Sequence, residues 1–364
     1  LYGYCYQALP GFGGRNSMWC RDMGTLIREL ALYGRLDSAC ALSSCLIDRV
    51  GLDLRGKKVL VLGTGGTSKT ARVVATDLGA SLVLTVSRRK TEEFITYEEA
   101  AALHADAEII INTTPAGMYP DCESVPMDIG GFSRLEGVID AVYNPLRTRL
   151  ILEAEKRGIP ATGGLMMLIL QAAKASEIFL GCKYGEKEVS DVIKKIFTAK
   201  ENIVLIGMPG SGKSTIGQLI AEMTGRAFID TDTALQEMTG MHPSEIIRES
   251  GEGTFRDIET QAVREVSKKS GIVIATGGGI VKRSENIPLL RQNGKILYLD
   301  CPTDELPVTP DRPLSSSREA IEELHRTRHP LYTAAADATV AISHKNELKN
   351  NANEVIKIFS EMIL

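Results

Sequence analysis

Short, uniformly apolar runs alternate with segments of helical period along most of the chain. The first series begins after Gly56 and has four runs, Val59 to Leu62, Leu82 to Val86, Ile109 to Ile111 and Val138 to Val142. Runs of this length and composition are typical of strands buried on both faces, and strands that helices separate form parallel sheets. We therefore predict a parallel α/β sheet in this part of the chain.

A second series of apolar runs follows three helical candidates, Thr148 to Arg157, Leu165 to Leu180 and Glu186 to Phe197. Its runs are Ile203 to Ile206, Ala227 to Ile229, Ile272 to Ala275, Ile296 to Leu299 and Ala338 to Ile342. Five short strands with intervening helices predict another doubly wound sheet. The fold class that follows is α/β with two doubly wound parallel-sheet domains, divided at the polar stretch from Thr198 to Asn202. The predicted domains are residues 51–198 and 201–364, with residues 1–50 unassigned.

Composition and charge limit the classes of partner that the chain can bind. A chain of 364 residues fits two domains, and its 43% hydrophobic and 24% charged residues are ordinary for a soluble protein. The net charge of −4 gives no basic field for nucleic acid, and no apolar run is long enough to span a membrane. Seven cysteines without a CxxC pair, and no signal-peptide pattern, favour the cytoplasm. Oligomeric state is left open.

The first 50 residues differ from the rest in composition. Four of the seven cysteines and the one tryptophan, Trp19, fall there, and the chain starts at Leu1 instead of Met. We expect a truncated or aberrant segment in this region.

A phosphate-binding motif follows the first strand of the second series. Residues 207–214 fit G-x-x-x-x-G-K-[ST], directly after Ile203 to Ile206 and before a predicted helix near Lys213. Glycines let backbone N–H groups surround phosphates, Lys213 neutralises β/γ oxygens, and Ser214 can ligate Mg²⁺. A glycine turn with an incidental lysine is the alternative. The candidate ATP-binding residues are Gly210, Ser211, Gly212, Lys213, Ser214 and Thr215.

Two carboxylates, Asp230 and Asp232, end the next predicted strand. If the segment is extended, both side chains leave the same face. One carboxylate can then organise Mg²⁺ while the other accepts the proton of an attacking hydroxyl. Alternatively, Asp232 caps a helix from Ala234 to Thr239.

Three arginines and a triple glycine complete this set. Arg256, Arg312 and Arg328 have guanidinium forks suited to carboxylate and phosphate oxygens, although each alone could be a solvated surface residue. The run from Gly277 to Gly279 follows the third strand, at the edge where doubly wound folds bind ligands. A simple loop is the alternative there.

In order, these segments resemble shikimate kinase over nearly all of residues 201–364. The resemblance implies a P-loop domain with the nucleoside-monophosphate-kinase-like fold, ATP and Mg²⁺ as cofactors, and shikimate as substrate. Other small acceptors, such as gluconate or a nucleotide, remain an alternative. The family's mobile lid would be Pro302 to Asp311, which is short here and lacks an arginine often found before the Arg-Pro pair.

The resemblance also implies a role for each candidate residue. Asp232 would bind the shikimate hydroxyls and act as the base, and Asp230 and Ser214 would serve Mg²⁺. The substrate carboxylate and ring would be held by Arg256, Arg328, Gly278 and Gly279, and the transferring phosphate by Lys213 and Arg312.

A second glycine turn, from Gly63 to Thr70, follows the strand Val59 to Leu62 and opens a helix. This is the βα context of a pyrophosphate site in a Rossmann dinucleotide-binding domain. At the end of the next strand, Ser87 is followed by Arg88, Arg89 and Lys90, and positive charge there favours the 2′-phosphate of NADP. A solvated charge run is the alternative.

Three further segments, residues 111–118, 140–145 and 164–172, make residues 51 to about 182 resemble the cofactor-binding domain of shikimate dehydrogenase. The resemblance implies that Gln171 and Tyr143 face shikimate and that Gly164 and Met167 lie near the nicotinamide. The implied NADP-binding set is Gly63, Thr64, Gly65, Gly66, Thr67, Ser87, Arg88, Arg89, Asn112, Thr113, Gly164 and Met167.

The family's substrate lobe carries a catalytic Lys-Asp pair upstream, but this sequence has no lysine before Lys57. We therefore expect the cofactor half of a dehydrogenase. An intact parent would reduce 3-dehydroshikimate to shikimate and phosphorylate it to shikimate 3-phosphate. Alternatively, the N-terminal unit is a non-catalytic NADP-binding or scaffolding domain.

Overall fold

The computed structural model describes residue 42, residues 50–308 and residues 317–363. It divides into two compact units between Ile196 and Phe197. Among the described residues, no helix is both long and apolar enough to cross a membrane.

The N-terminal unit is built on a six-stranded sheet in the order β3-β2-β1-β4-β5-β6, and every neighbouring pair is parallel. Because the chain reverses its direction of winding between β1 and β4, a crevice forms at their carboxyl ends. The strands are β1 (Lys58–Leu62), β2 (Leu82–Val86), β3 (Phe94–Ile95), β4 (Ile109–Asn112), β5 (Gly137–Asp140) and β6 (Ala161–Thr162).

Local sequence explains where several helices of this unit begin. A capping box of Thr96 and Glu99 starts α2, and the Thr148 hydroxyl caps α3. Gly181, at φ +61°, ends α4 in the left-handed conformation. The helices are α1 (Gly66–Asp77), α2 (Tyr97–Leu103), α3 (Arg149–Lys156), α4 (Gly164–Leu180) and α5 (Glu186–Lys200), the last of which crosses into the second unit.

The C-terminal unit has a five-stranded, wholly parallel sheet in the order β11-β10-β7-β9-β8. Strand β7 lies at its centre and is completely buried. Its carboxyl end is the switch point of this sheet, since the chain first winds to one side of β7 and then to the other. The strands are β7 (Asn202–Ile206), β8 (Phe228–Asp230), β9 (Val273–Ala275), β10 (Gly294–Asp300) and β11 (Ala338–Ala341).

Six helices surround this sheet among the described residues. Pro243, at the first position of α8, follows a capping box formed by His242 and Glu245. The same helix is interrupted at Gly251, whose φ of +84° is outside the helical range. The helices are α6 (Lys213–Thr224), α7 (Thr231–Thr239), α8 (Pro243–Ser267), α9 (Asn286–Arg291), α10 (Arg318–Ala335) and α11 (Leu348–Glu361).

The predicted fold class, two doubly wound parallel-sheet α/β domains, is confirmed. The polar stretch predicted as the boundary has regular structure, because α5 continues to Lys200 and β7 begins at Asn202. Arg226 donates to the backbone oxygens of Thr198 and Glu201, which fastens the end of α5 to the C-terminal unit. Residues 1–41 and 43–49, which include the cysteine-rich segment with Trp19, lie outside the described residues.

Candidate active site

The phosphate-binding loop joins the central strand β7 to α6. Gly207, Gly210 and Gly212 all have positive φ, at +150°, +81° and +82°, so side chains at these positions would strain the loop. Helix α6 begins at Lys213 with Gly212 as its N-cap and no side-chain cap. Ser211 Oγ is buried and has no hydrogen-bond partner among the residues that the structure describes. An open helix start beside an orphaned hydroxyl fits a phosphate group.

Lys213 turns back onto this loop. Its Nζ donates to the backbone oxygens of Gly207 (3.0 Å) and Met208 (2.8 Å), and only 7% of the residue is exposed. Burial lowers the pKa of Lys213 to about 8, against the opposing effect of Asp232 and Asp230. An anion that replaces the two carbonyl groups would favour the charged form of the lysine.

Asp230 and Asp232 lie together but not as the sequence predicted. Asp230 ends β8 and is the N-cap of α7, since its Oδ1 accepts from the backbone N–H of Asp232 at 2.9 Å. Its Oδ2 accepts from the Ser214 hydroxyl at 2.6 Å. The expectation that both carboxylates leave one face of an extended segment is wrong, as is the alternative that Asp232 caps a later helix. Asp232 lies in the first turn of α7, which begins at Thr231.

Asp232 is largely buried beside other charged groups. Burial, and after it the negative charge of Asp230, raises the pKa of Asp232, while Lys213 and Arg256 act in the opposite direction. A carboxylate with a raised pKa is a stronger base than an ordinary one, so this environment suits proton abstraction.

Each residue of the triple glycine makes room for a different group. A Cβ on Gly277 would lie 2.7 Å from Asp232 Oδ1, and one on Gly278 would lie 2.8 Å from Cδ of Pro209 in the phosphate-binding loop. A Cβ on Gly279 would overlap the Arg256 guanidinium. The three glycines therefore bring Asp232, the phosphate-binding loop and Arg256 against one stretch of backbone.

Arg256 is held by helix neighbours. Its Nη1 contacts Glu259 Oε2 at 2.7 Å, and its Nη2 contacts Glu252 Oε1 at 3.2 Å. Arg256 and Glu259 are both buried, at 9% and 1% exposure. Removing either partner would leave a buried charge uncompensated, so the pair fixes the guanidinium against Gly279.

Arg328 and Tyr332, one turn apart on α10, both donate to the backbone oxygen of Gly278. The Arg328 Nη1 to Gly278 oxygen distance is 2.8 Å, and both side chains are buried. A guanidinium has five N–H donors, so the bond to Gly278 leaves donors for a bound anion.

Arg312, the third predicted arginine, lies outside the described residues, as do residues 309–316 as a whole. Of the predicted lid, the structure describes Pro302 to Val308, with a short 3₁₀ turn at Thr303–Glu305. Pro307 packs on the phosphate-binding loop, since a Cβ on Gly210 would lie 2.8 Å from its Cδ.

In the N-terminal unit, the predicted pyrophosphate turn lies at the switch point of the sheet. Gly63 has φ +104°, and a Cβ there would lie 2.9 Å from Thr113 Oγ1, which donates to the Leu62 carbonyl at 2.6 Å. The next four residues, from Thr64 to Thr67, are exposed, and α1 starts at Gly66 without a side-chain cap. The turn thus presents open N–H groups at a helix start.

The predicted 2′-phosphate site lies at the end of β2. Arg88 and Arg89 are exposed, while Lys90 forms an ion pair with Glu99 of α2. Ser87 is half-buried and its Oγ accepts from the backbone N–H of Arg89 at 3.3 Å. Two of the three predicted cations therefore face solvent at this edge, and the third is paired within the unit.

Asn112, a member of the predicted NADP-binding set, lies between two strands of the sheet. It is fully buried, its Nδ2 donates to Asp140 Oδ1 at 2.9 Å, and its Oδ1 accepts from Thr114. Asp140 also accepts from Thr148 and from the backbone of Val142, and burial raises its pKa to about 6. The Asn112 side chain therefore holds β4 to β5.

The remaining predicted residues of this unit lie around the start of α4. Gly164 is buried there, and a Cβ would overlap the Ala141 carbonyl oxygen. Met167 is half-buried against the core that lines α1, and Gln171 is half-buried one turn further along α4. Tyr143 follows β5 and is 42% exposed. Only Tyr143 among these four is largely accessible.

Sequence reasoning missed two buried residues that position the arginines of this site, Glu259 and Tyr332. Each lies one helical turn from a predicted arginine, three residues after Arg256 and four residues after Arg328. Helical neighbours at these spacings share a face, so the signal was present once the helices were assigned.

Comparison with known proteins gives matches for both parts of the chain. A family model described as shikimate kinase matches residues 209–362. A shikimate kinase from Clostridium beijerinckii is 41% identical over 163 residues, which are 44% of this chain and 95% of the relative. A solved shikimate kinase from Acinetobacter baumannii, in complex with shikimate, is 30% identical with a TM-score of 0.43, covering 47% of this chain and 99% of that one. A chorismate mutase/shikimate 5-dehydrogenase fusion from Clostridium acetobutylicum is 28% identical with a TM-score of 0.41, covering 44% and 60%.

Proposed function

The chain belongs to the shikimate kinase family, and from this membership we propose that its C-terminal unit transfers the γ-phosphoryl group of ATP to shikimate, giving shikimate 3-phosphate. The observation that carries the proposal is the convergence on Gly277 to Gly279 of Asp232, Arg256, Arg328 and the phosphate-binding loop. A general base, two buried guanidinium groups and a phosphate cradle match an acceptor that has both a hydroxyl and a carboxylate.

Asp232 accepts the proton of the attacking hydroxyl at its carboxylate oxygen. Its raised pKa makes it a stronger base, and Gly277 leaves the space in which this oxygen lies. Arg256 and Arg328 bind the substrate carboxylate through N–H donors that their protein partners do not use. Since the hydroxyl and the carboxylate are held at separate points, the substrate is oriented as well as bound.

The residues present fit Mg²⁺ and ATP phosphates. Ser214 Oγ and Asp230 Oδ2 are 2.6 Å apart and supply the oxygen donors that a hard cation prefers. When bound, Mg²⁺ supplies charge neutralisation on the phosphate oxygens. Lys213 and the open start of α6 hold the phosphates, and Arg312 adds a positive charge by the family resemblance.

An acceptor panel tests the proposal. ADP release should be measured with shikimate, gluconate and nucleoside monophosphates as acceptors, and we expect turnover with shikimate. Asp232→Asn should lose nearly all turnover while ATP affinity stays unchanged, because an amide cannot accept the hydroxyl proton. Near-normal turnover of this variant would refute the role of Asp232, and turnover restricted to another acceptor would refute the substrate.

For the N-terminal unit, we propose binding of NADP(H). The supporting observation is the exposed Gly63 to Thr67 turn at the switch point, with the exposed Arg88 and Arg89 at the end of the neighbouring strand. Titration of the full chain should give tighter binding of NADPH than of NADH, and Arg88→Ser/Arg89→Ser should remove that preference. Equal affinities in the unmodified chain would contradict the 2′-phosphate site.

An assay of 3-dehydroshikimate reduction distinguishes a catalytic from a non-catalytic role of this unit. NADPH-dependent reduction of 3-dehydroshikimate by the chain would establish a shikimate dehydrogenase activity. Binding of NADPH without turnover would support a non-catalytic NADP-binding or scaffolding domain.

A further inference from the structure

A cluster of two histidines and one carboxylate lies in the C-terminal unit, apart from the Ser214–Asp230 pair. Asp300 ends β10, and His325 and His329 lie one turn apart on α10. One donor atom from each of the three lies within 4.8 Å of the other two. Among the residues that the structure describes, this is the one group of three or more such side chains with that spacing.

The three donor atoms are near enough to bind a single ion after a side-chain adjustment. Metal–nitrogen and metal–oxygen bonds to ions of the zinc class are about 2.0–2.2 Å, so two ligands of one tetrahedral ion lie about 3.4 Å apart. The donor atoms, which lie within 4.8 Å of one another, therefore need to approach by up to about 1.4 Å, and changes of side-chain torsion supply movements of this size. The backbone elements that carry the three ligands are already in place.

The cluster is partly shielded from water. All three side chains are half-buried, and the two imidazole rings stack with centroids 4.8 Å apart. Spacing of i and i+4 on a helix directs both rings to one side, which is the arrangement by which a helix offers two imidazoles to one ion.

A buried tyrosine holds two of the three side chains. The Tyr298 hydroxyl donates to Asp300 Oδ1 at 2.9 Å and lies 3.1 Å from His329 Nδ1. An ion bound at His329 Nε2 would leave Nδ1–H to donate to that hydroxyl. Histidines that bind metals usually have such an outer hydrogen bond, which fixes the ring orientation.

We propose that Asp300, His325 and His329 form a binding site for a late first-row divalent cation of the zinc class. Two imidazoles and one carboxylate select Zn²⁺, Ni²⁺ or Cu²⁺ over Mg²⁺, which prefers oxygen ligands. The site therefore differs in chemistry from the oxygen pair of Ser214 and Asp230. Three protein ligands leave a fourth position for water.

Occupancy would connect β10 to α10, the helix that carries Arg328. The Tyr298 ring stacks on that of Tyr332, with centroids 5.1 Å apart, and the Tyr332 hydroxyl donates to Gly278. An ion at the cluster would thus stabilise the packing of Tyr298 and Tyr332 next to Arg328, the predicted carboxylate-binding arginine. We expect bound Zn²⁺ to raise the thermal midpoint of the C-terminal unit.

The test is titration of the full chain with Zn²⁺ and Co²⁺, without nucleotide, in excess Mg²⁺ and a non-chelating phosphine reductant. We expect one ion per chain at this site, and Co²⁺ bound there should give a visible spectrum without a thiolate charge-transfer band. His325→Gln, His329→Gln and Asp300→Asn should each weaken binding at least about 100-fold, since loss of even an outer-shell partner costs 10–100-fold.

The chain supplies matched controls, because its five histidines include three outside the cluster. A combined His104→Gln/His242→Gln/His344→Gln variant should bind as the unmodified chain does. Unchanged Zn²⁺ affinity in both His325→Gln and His329→Gln would overturn the proposal. Absence of saturable binding, or displacement by Mg²⁺, would also overturn it. Circular dichroism of the metal-free variants verifies that a loss of binding is not a loss of fold.

Discussion

At the scale of single residues, each cation described in the kinase site already contacts an oxygen of the protein. Lys213 donates to two loop carbonyls, Arg256 to Glu259, and Arg328 to Gly278. These contacts offset the cost of burying the charges and fix the side chains before a substrate arrives. An incoming anion then replaces neutral carbonyls at Lys213 and uses spare donors of the two arginines.

Asp140 gives a pH-dependent prediction for the N-terminal unit. Burial raises its folded pKa from 3.8 to about 6, so the folded state prefers the protonated carboxyl. The ionised form should cost roughly 3 kcal/mol above pH 6, and this cost should disappear as the pH falls towards 4. Asp140→Asn avoids the charge at all pH values. In calorimetry, its stability relative to the unmodified chain should therefore decrease by roughly 2 to 2.5 kcal/mol between pH 7 and pH 4.

Asp106→Asn is the matched control for that measurement. Asp106 is half-exposed, and its hydrogen bond with Lys58 lowers its pKa, so any change with pH should be small and opposite in sign. A stability difference for Asp140→Asn that stays constant between pH 7 and pH 4 would contradict the buried charge.

Residue types and spacing predicted the members of the kinase site better than their local roles. Asp230 and Asp232 were both identified, but the sequence did not reveal that β8 ends at Asp230 and that this residue caps α7. Asn112 matched a family motif, yet its amide is used between two strands. These roles depend on where a helix begins and on which groups lie opposite in space, and neither follows from spacing along the chain.

At the scale of elements, the pattern predicted nine of the eleven described strands, including β8 and β11 at the two edges of the second sheet. The two that it missed, β3 and β6, have two residues each and lie at the sheet edges. Edge strands of this length contain too few residues for a periodic signal. Strands of three or more residues were therefore predictable at the centre and at the edges of a sheet, while the two-residue strands were not.

The loop that contains the triple glycine offers a test of how tightly elements pack at the site. Gly277→Ala would place a Cβ 2.7 Å from Asp232 Oδ1 and 3.2 Å from Glu259 Oε1, so the carboxylate must move. A displacement of about 1 Å can lower turnover on the order of 100-fold. We expect a fall of that size in kcat for shikimate phosphorylation, measured by ADP release.

Gly253→Ala is the control for this substitution. Gly253 lies within α8, and nothing lies within 4 Å of an added Cβ. Alanine should raise the free energy of unfolding by up to about 1 kcal/mol and leave kcat unchanged. A normal kcat for Gly277→Ala would show that Asp232 can move without loss and that the contact is not limiting.

At the scale of the whole molecule, each unit has its own parallel sheet with buried strands on both sides of a switch point. The hydrophobic cluster of the C-terminal unit includes residues of β7, β9, β10 and β11. Phe197, near the end of α5, packs against this cluster. A sheet with a complete core of this kind has the interactions that a domain needs to fold alone.

We therefore predict that residues 182–364 fold and phosphorylate shikimate without the rest of the chain. The cut lies before α5 and keeps that helix, because Arg226 binds the backbone at Thr198 and Glu201. The kcat/KM for shikimate should equal that of the full chain, and NADPH binding should be lost. A shorter fragment that begins at Asn202 lacks these contacts and Phe197, so its unfolding midpoint should be lower. A folded fragment 182–364 with little kinase activity would mean that the N-terminal unit contributes to phosphoryl transfer.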